Sequence, residues 1–490
     1  MISLNEVMFM RSIGEYVARL KANGGAVNPE YYGVYARSVY KKEEYTAFMA
    51  RMQDGSDRLC AFGEHPFNGV ERDGYTECEL THQNATILKW EFPFCAPKPV
   101  LSTCKCTFGV GDRLGRATPG HLRVFEKYDA TPVLAQQSMR ELTLTGRTYQ
   151  SVMDDVAFFV FREGYEGGYG ADGDHLKNID DIGNALEDGC TMITLDLSEH
   201  IHKLDTEHIP SASQNVKDRY LGKEFTLADG TVLTFSEEEL DTIAAIYSEA
   251  MDFTQQVYET YFAAGKYDAD LEVSIDETDV STTPLQHLFV ANELTARDVK
   301  FATIAPRFSG EFQKGIDYIG DLDVFTAELK VHQAIAETFG YKLSVHSGSD
   351  KFSVFPIIGE ITKGHFHIKT SGTNWLEAMR LVAMEDPKLY RNIHKYALTV
   401  FAQAKAYYHV SGNPDAVPDV DTLRDDQLPM LFDMTDSRQL IHITYGFILR
   451  HPIFAPALKA LWTKEHQWYE ALLKELLMKH MECLKIPFVS

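Results

Sequence analysis

Eight short apolar segments alternate with helical stretches between residues 104 and 369 of this 490-residue chain. Such alternation is typical of βα units around a parallel sheet. The segments are Cys104–Phe108, Pro132–Ala135, Tyr169–Asp172, Met192–Asp196, Leu271–Asp276, Lys300–Ala305, Leu343–His346 and His365–Lys369. Because eight units of this kind close a barrel, the sequence predicts an α/β fold of the TIM-like (β/α)8 type.

An open, doubly wound sheet fits the same alternation and is the alternative fold. Sheets of that type bind dinucleotides at a turn with the glycine spacing G-x-G-x-x-G. The nearest candidate, Gly109-Val-Gly-Asp-Arg-Leu-Gly115, has its third glycine one residue late. The barrel is therefore favoured.

The sequence also predicts how the chain divides around the barrel. Residues 1–100 mix short apolar runs with Gly, Asn and Asp and are predicted to form an N-terminal extension. Residues 101–375 are the predicted catalytic barrel, with an insertion at about 201–268 between the fourth and fifth strands. Residues 376–490 show apolar side chains at helical spacing and are predicted to form a helical region packed on the barrel.

Composition narrows the classes of partner. The formal net charge of −24 argues against nucleic acid or an anionic membrane, because both would be repelled. Seven cysteines without a CxxC pair suggest neither a disulfide framework nor a four-cysteine zinc site. No signal peptide or apolar run of about 20 residues is visible. We expect a cytoplasmic protein with a small-molecule substrate, and the sequence leaves a homo-oligomer open.

Polar residues follow nearly every predicted strand at its carboxyl end. Asp174-His175 follow the third strand, Arg307 follows the sixth, His346 ends the seventh and Lys369 ends the eighth. Barrels of this type build their active sites from these ends. The sequence therefore predicts that these side chains meet at one rim of the barrel.

The histidines at this rim predict a divalent metal site. A neutral imidazole is the commonest protein ligand for such ions, and an acid beside it, as Asp174 is beside His175, is well placed to move protons. On the eighth strand, period-two alternation puts His365, His367 and Lys369 on one face. On the fifth, Glu272 shares a face with Ser274 and Asp276. Buried polar faces of this kind require a metal, a partner charge or water, although a satisfied structural residue is the alternative for any one of them.

The segment His346-Ser-Gly-Ser-Asp-Lys351 follows the seventh strand and predicts an anion site. Its backbone N–H groups could form a concavity for an anion, with Lys351 adding positive charge. Loops after the seventh and eighth strands are the usual anion site of such barrels. An ordinary turn before the next helix is the alternative interpretation.

Six segments resemble the bacterial tagaturonate epimerase family. They are Phe108–Gly115, Arg162–Lys177, Leu271–Thr278, Val345–Phe352, His367–Thr373 and Arg438–Gly446, and they span most of residues 104–450 in the right order. The resemblance implies a metal-dependent enzyme that interconverts D-tagaturonate and D-fructuronate in hexuronate breakdown.

The same resemblance implies roles for individual residues. Asp174 matches the proton acceptor, Glu272 the proton donor, and His175 and His346 two metal ligands. The third ligand is assigned to His367, with Glu311 as the competitor. Nitrogen and oxygen ligands suit zinc, manganese, iron, cobalt or nickel, so the sequence leaves the identity of the metal open.

The two uronates differ at a carbinol carbon β to the ketone, which simple enolisation cannot invert. A retro-aldol step can, with Asp174 as base and the metal as Lewis acid for the resulting enediolate. Lys351, Lys369 and Arg307 would then retain the carboxylated fragment.

Transient oxidation is a second route to the same inversion, but the sequence shows no dinucleotide-binding turn to support it. A class II aldolase acting on a sugar acid or ketose, and a non-catalytic sugar-acid binding protein, are the alternative functions.

Overall fold

The computed structural model describes residues 11–23, 27–203, 209–370 and 372–489. Its strands are β1 (Tyr40–Lys41), β2 (Tyr45–Arg51), β3 (Asp57–Gly63), β4 (Val70–Glu71), β5 (Thr76–Cys78), β6 (Cys106–Val110), β7 (Thr131–Ser138), β8 (Gly170–Leu176), β9 (Met192–Asp196), β10 (Phe225–Thr226), β11 (Val232–Leu233), β12 (Asp270–Ile275), β13 (Thr303–Pro306), β14 (Lys342–Val345) and β15 (Phe366–Thr370).

The described ranges contain seventeen α-helices. They are α1 (Ile13–Asn23), α2 (His82–Glu91), α3 (Thr118–Phe125), α4 (Met139–Thr145), α5 (Tyr149–Glu163), α6 (Ile179–Glu187), α7 (Gln214–Tyr220), α8 (Glu237–Tyr261), α9 (Pro284–Ala296), α10 (Leu322–Phe339), α11 (Phe355–Thr362), α12 (Thr373–Glu385), α13 (Pro387–Lys405), α14 (Thr435–Ile443), α15 (Tyr445–Arg450), α16 (Phe454–Lys464) and α17 (His466–Cys483). None of those within the described ranges has both the length and the apolar character needed to cross a lipid bilayer.

Eight parallel strands close into a barrel in the order β6-β7-β8-β9-β12-β13-β14-β15, with β15 pairing back to β6. Each predicted segment overlaps one of them, and the (β/α)8 barrel is confirmed. The alternating apolar residues of these strands explain the closure, because their outward side chains pack under the surrounding helices. Phe108, Ile193, Val273 and Ile368 are all fully buried in that layer.

The N-terminal extension is an antiparallel sheet with the order β1-β2-β3-β5-β4. One face of this sheet joins the hydrophobic core of the barrel through Ala47, Met49, Leu59 and Ala61. The opposite face packs against α1 through Phe48, Ala50 and Cys60 and forms a smaller core. Period-two alternation of apolar residues along β2 supplies both faces.

The insertion between β9 and β12 contains α7, the hairpin β10-β11 and α8. Asp229-Gly230 makes the hairpin turn, and Ser236 and Glu239 form the capping box that begins α8. After β15, α12 to α16 enclose a second hydrophobic core around Trp375 and Trp462. The insertion and the C-terminal helices therefore flank a barrel whose strands point their carboxyl ends toward one mouth.

Candidate active site

A cavity of about 380 Å³ opens at the carboxyl ends of the barrel strands. Asp174, His175, His346 and Lys369 all line it, as the sequence predicts. A second cavity of about 250 Å³ adjoins it and is lined by Asp276, Arg307 and Glu311, among others. Both cavities share His346 and the loop that follows it.

An irregularity in β8 brings two adjacent residues into this cavity. Successive residues of a regular strand point to opposite faces of the sheet. The pairing of β8 with β9 shifts between Gly173 and Leu176, and His175 has a left-handed backbone with φ of 57°. Side chains other than glycine seldom adopt this conformation, so the surrounding structure must hold it. It lets Asp174 and His175 line the same cavity.

Three side chains form a cluster with the donor types of a metal site. One ligand atom from each of His175, Asp276 and His346 lies within 4.8 Å of the other two. Nδ1 of His346 is 3.0 Å from Oδ1 of Asp276. Among the described residues, neither Nδ1 of His346 nor Nδ1 of His175 has a partner with hydrogen-bond geometry. Nε2 of His346 lies 2.8 Å from Oε1 of Glu272. A proton on Nε2 would leave Nδ1 free to bind a cation, with Glu272 orienting the ring.

The electrostatics of this cluster favour a bound cation. Burial alone would lower the pKa of His346, but Asp276 and Glu272 outweigh it and raise the pKa to about 10. Burial would likewise raise the pKa of Asp276, and His346 more than offsets this effect and lowers it. The negative charge that holds a proton on His346 so strongly would also hold a divalent cation. The two imidazoles and the carboxylates beside them therefore fit a metal.

His367 and Glu311, which the sequence offers as third ligand, lie elsewhere. His367 pairs with Ser344, two residues before His346, and is therefore about 7 Å deeper along the strands. Its Nδ1 is 2.9 Å from the hydroxyl of Thr107, and burial lowers its pKa to about 3. Glu311 lines the second cavity, where its carboxylate is 3.4 Å from His409.

Lys369 lies at the centre of a buried group of carboxylates. Its Nζ is 2.8 Å from Asp172 and 3.3 Å from Glu272, and it also pairs with Asp174. Burial alone would raise the pKa of Asp174, but Lys369 and then His175 lower it to about 2. The pKa of Glu272 is well below its ordinary value, because Lys369 and His346 outweigh the effect of burial. Both carboxylates are therefore ionised at neutral pH.

Lys351 and Arg307 occupy different surroundings. Lys351 is fully buried, and its Nζ donates to the carbonyl oxygens of Gln313, Ile316 and Ser349 at 2.9, 2.6 and 2.8 Å. It therefore fastens the β13–α10 loop to the loop after β14 and does not line either cavity. Arg307 lines the second cavity and donates to the carbonyl of Thr278.

The residues that line the cavities without having been assigned from the sequence include Asp276, Arg140 and Lys314. Asp276 stands at the carboxyl end of β12 on the same polar face as Glu272, and that position was the available signal. Arg140 lies in the first turn of α4, and Lys314 lies in a long loop after β13. No periodicity marks either residue, because loop positions have no regular facing and α4 has only seven residues.

Replacing Lys369 by Met should lower the free energy of unfolding by about 3–5 kcal/mol at pH 7, since it leaves several buried carboxylates without their cation. Asp174 and Glu272 have lowered pKa values in the folded protein, so their ion pairs add stability above the ordinary carboxyl pKa and lose it as the pH falls. The deficit should therefore shrink as the pH falls below the ordinary carboxyl pKa of about 4. Urea titrations at pH 7 and pH 3 measure it. The exposed Lys223→Met is the control, and an equal loss there would contradict the assignment.

Comparison with known proteins identifies the family. A family model described as tagaturonate epimerase matches residues 35–484. The tagaturonate/fructuronate epimerase of Thermotoga maritima is 39% identical over 474 residues, which cover 93% of this chain and 97% of that relative. Native and one-glycerol crystal structures of a fructuronate-tagaturonate epimerase from Cohnella laeviribosi both match with a TM-score of 0.90 and 42% identity, covering 96% of this chain and 99% of theirs. The chain therefore belongs to the tagaturonate epimerase family and is an isomerase of the carbohydrate epimerase class.

Proposed function

We propose that this enzyme interconverts D-tagaturonate and D-fructuronate in hexuronate catabolism. Relatives that match nearly the whole chain carry this activity in their names. The observation that carries the proposal is the position of Asp174, an ionised carboxylate beside the His175, Asp276 and His346 cluster in the barrel cavity. The seven cysteines, all described and none in a disulfide, support a cytoplasmic protein.

The metal site that we propose consists of His175, His346 and Asp276. Asp276 takes the third position because its carboxylate adjoins His346, whereas His367 lies deeper in the barrel and Glu311 lines the neighbouring cavity. A divalent ion bound there would act as a Lewis acid on substrate oxygens and stabilise negative charge on them. Nitrogen and oxygen donors suit several first-row metals and zinc.

The reaction we propose is a retro-aldol cleavage followed by aldol addition. The carbinol carbon that is inverted lies β to the ketone, so its C–H bond is not acidified and its C–C bond must break instead. Asp174 accepts the proton of the carbinol hydroxyl, and the O–H electron pair becomes the second bond of an aldehyde. The electron pair of the C–C bond passes to the carbon next to the ketone, which forms a three-carbon enediolate.

Inversion follows when the aldehyde turns and presents its opposite face. The enediolate carbon re-forms the C–C bond, and the new alkoxide takes back the proton from Asp174. Glu272, the second proton-exchanging group that the resemblance implies, is fully buried and lines neither cavity, so we propose that it acts through Lys369. Lys369 contacts both carboxylates, and a proton that Asp174 takes from the substrate can pass through Lys369 to the ionised Glu272 and return by the same route.

The product of a single substrate tests this function. We expect D-fructuronate incubated with the metal-loaded protein to yield D-tagaturonate until the two sugars reach equilibrium. ¹³C NMR of the incubation measures both sugars. An aldolase would instead accumulate the two three-carbon fragments. A non-catalytic sugar-acid binding protein would leave the spectrum of D-fructuronate unchanged, and either outcome would contradict the proposal.

A further inference from the structure

The two cavities at the barrel mouth share part of their lining. Arg140, Glu277, Lys314, His346, Ser347 and Tyr408 line both of them. Asp174, His175 and Lys369 lie on the side of the first cavity. A substrate whose reacting carbon is next to Asp174 therefore extends its remaining atoms past His346 toward the residues at the junction.

Most cations of the first cavity are already neutralised by protein carboxylates. Lys369 pairs with Asp172, Asp174 and Glu272, as described above. Arg113 donates from Nε and Nη2 to Glu141 at 3.0 and 2.8 Å. Lys177 pairs with Asp196 and Glu199 at 3.7 and 3.9 Å. These groups have little positive charge left for an anionic substrate.

Lys314 and Arg140 differ from these cations because neither forms an ion pair with any residue that the structure describes. Nζ of Lys314 donates to the hydroxyl of Ser347 at 3.0 Å. Arg140 donates from Nη1 to the carbonyl of Tyr407 at 2.9 Å, and its guanidinium lies 4.4 Å from the ring centre of Tyr408. Tyr408 is in turn hydrogen-bonded to Tyr445 at 3.1 Å. The contacts of both cations are neutral groups that fix their positions without cancelling their charge.

The two cations also lie close enough to affect one another. Burial lowers the pKa of Lys314, and the positive charge of Arg140 lowers it further. Glu277, Glu141 and Asp174 act in the opposite direction, from positions beyond ion-pair distance of Nζ. Two like charges held beside a cavity are costly unless an anion arrives to compensate them.

We propose that Lys314 and Arg140 bind the carboxylate of the hexuronate substrate, with the hydroxyl of Ser347 beside them. This inference rests on the proposed function, which supplies an anionic sugar as substrate. The carboxylate is two carbons from the carbinol carbon that Asp174 deprotonates, so it remains on the aldehyde fragment after the C–C bond breaks. Lys314 and Arg140 then hold that fragment in the cavity by its carboxylate while its carbonyl group turns.

This position suits the carboxylate better than the cations that the sequence analysis offered. Lys351 has all its described contacts with backbone carbonyls inside the protein. Lys369 is surrounded by carboxylates that would repel another anion. Arg307 lines only the second cavity, so it is farther from Asp174. Lys314 and Arg140 line both cavities, and no described carboxylate lies within ion-pair distance of either.

Binding of two sugars to matched variants tests the proposal. D-Fructuronate and D-fructose differ only in carrying a carboxylate or a CH₂OH group at the terminal carbon. We expect Lys314→Met and Arg140→Met each to raise the Kd of D-fructuronate about 10- to 100-fold, the range for loss of a charged hydrogen bond. The Kd of D-fructose should change less than about threefold. Calorimetry on metal-loaded protein measures both constants.

Three further variants complete the design. Lys314→Arg keeps the charge and should retain most of the preference for the uronate. Lys177→Met removes a cation of the same cavity that is already paired, and it should leave the ratio of the two Kd values unchanged. Arg307→Met should have a smaller effect on that ratio than Lys314→Met. Thermal unfolding of each variant shows whether it is folded.

Several outcomes would overturn the proposal. Equal weakening of both sugars would mean that Lys314 and Arg140 only maintain the shape of the cavity. No weakening, or a selective loss confined to Arg307→Met, would place the carboxylate elsewhere. The inference and the proposed function fail separately. Selective binding by Lys314 and Arg140 without conversion of D-fructuronate would refute only the function, whereas conversion with unselective variants would refute only this carboxylate site.

Discussion

Asp174→Asn should reduce the turnover of D-fructuronate about 100-fold or more while the protein keeps its metal. The substitution preserves the size of the side chain but removes the carboxylate that accepts the substrate proton, and general-base catalysis contributes about 10²–10⁴-fold. Asp174 is outside the proposed ligand group of His175, Asp276 and His346, so its replacement leaves all three ligands in place. Initial rates and elemental analysis of the same preparation measure both quantities.

Asp172→Asn provides the matched control for this prediction. Asp172 lies on the same strand and is also within 2.8 Å of Lys369, but it is fully buried and does not line the cavity. Its replacement should slow turnover far less than the replacement of Asp174. Similar losses in the two variants would show that charge balance around Lys369 accounts for both, and that Asp174 has no special role as the base.

His346→Ala and Asp276→Ala should each lose the metal and nearly all activity. Each removes one of three proposed ligands, and even the loss of an outer hydrogen-bond partner weakens metal affinity about 10- to 100-fold. Chelation of the unmodified protein should abolish turnover in the same way, and added metal should restore it. Metal titration monitored by elemental analysis gives the affinities.

His367→Ala separates the two assignments of the third ligand. The His367 ring is hydrogen-bonded to Thr107, deeper in the barrel than the rim, so the variant should bind the metal as tightly as the unmodified protein does. If His367→Ala loses the metal and Asp276→Ala retains it, the ligand set inferred from the family resemblance is right and the set proposed from the geometry is wrong.

The sequence predicts the barrel well because two periodicities alternate along it. Apolar strands of four to eight residues, each followed by a helical pattern, mark all eight barrel strands, and the polar residues after them mark the mouth. Asp174, His175, His346 and Lys369 meet there because parallel strands of a barrel end at a common rim.

Strand periodicity does not predict how deep a residue lies in the barrel or where a strand is irregular. His367 and Lys369 share one face of β15, yet only Lys369 reaches the cavity, since the register with β14 decides how deep each residue lies. The bulge at Gly173–Leu176 breaks the alternation that would otherwise separate Asp174 from His175. Lys314 comes from the loop after β13, where tertiary contacts set the direction of a side chain, and Arg140 comes from the short helix α4 that directly follows β7.

Conversion of D-fructuronate in D₂O, followed by NMR, tests the proposed reaction most directly. Cleavage and re-formation of the C–C bond leave the hydrogen of the inverted carbon in place throughout. We therefore expect D-tagaturonate that carries protium at this carbon even after complete equilibration. Deuterium at the inverted carbon would show that its C–H bond breaks, and the absence of D-tagaturonate would contradict the proposed function itself.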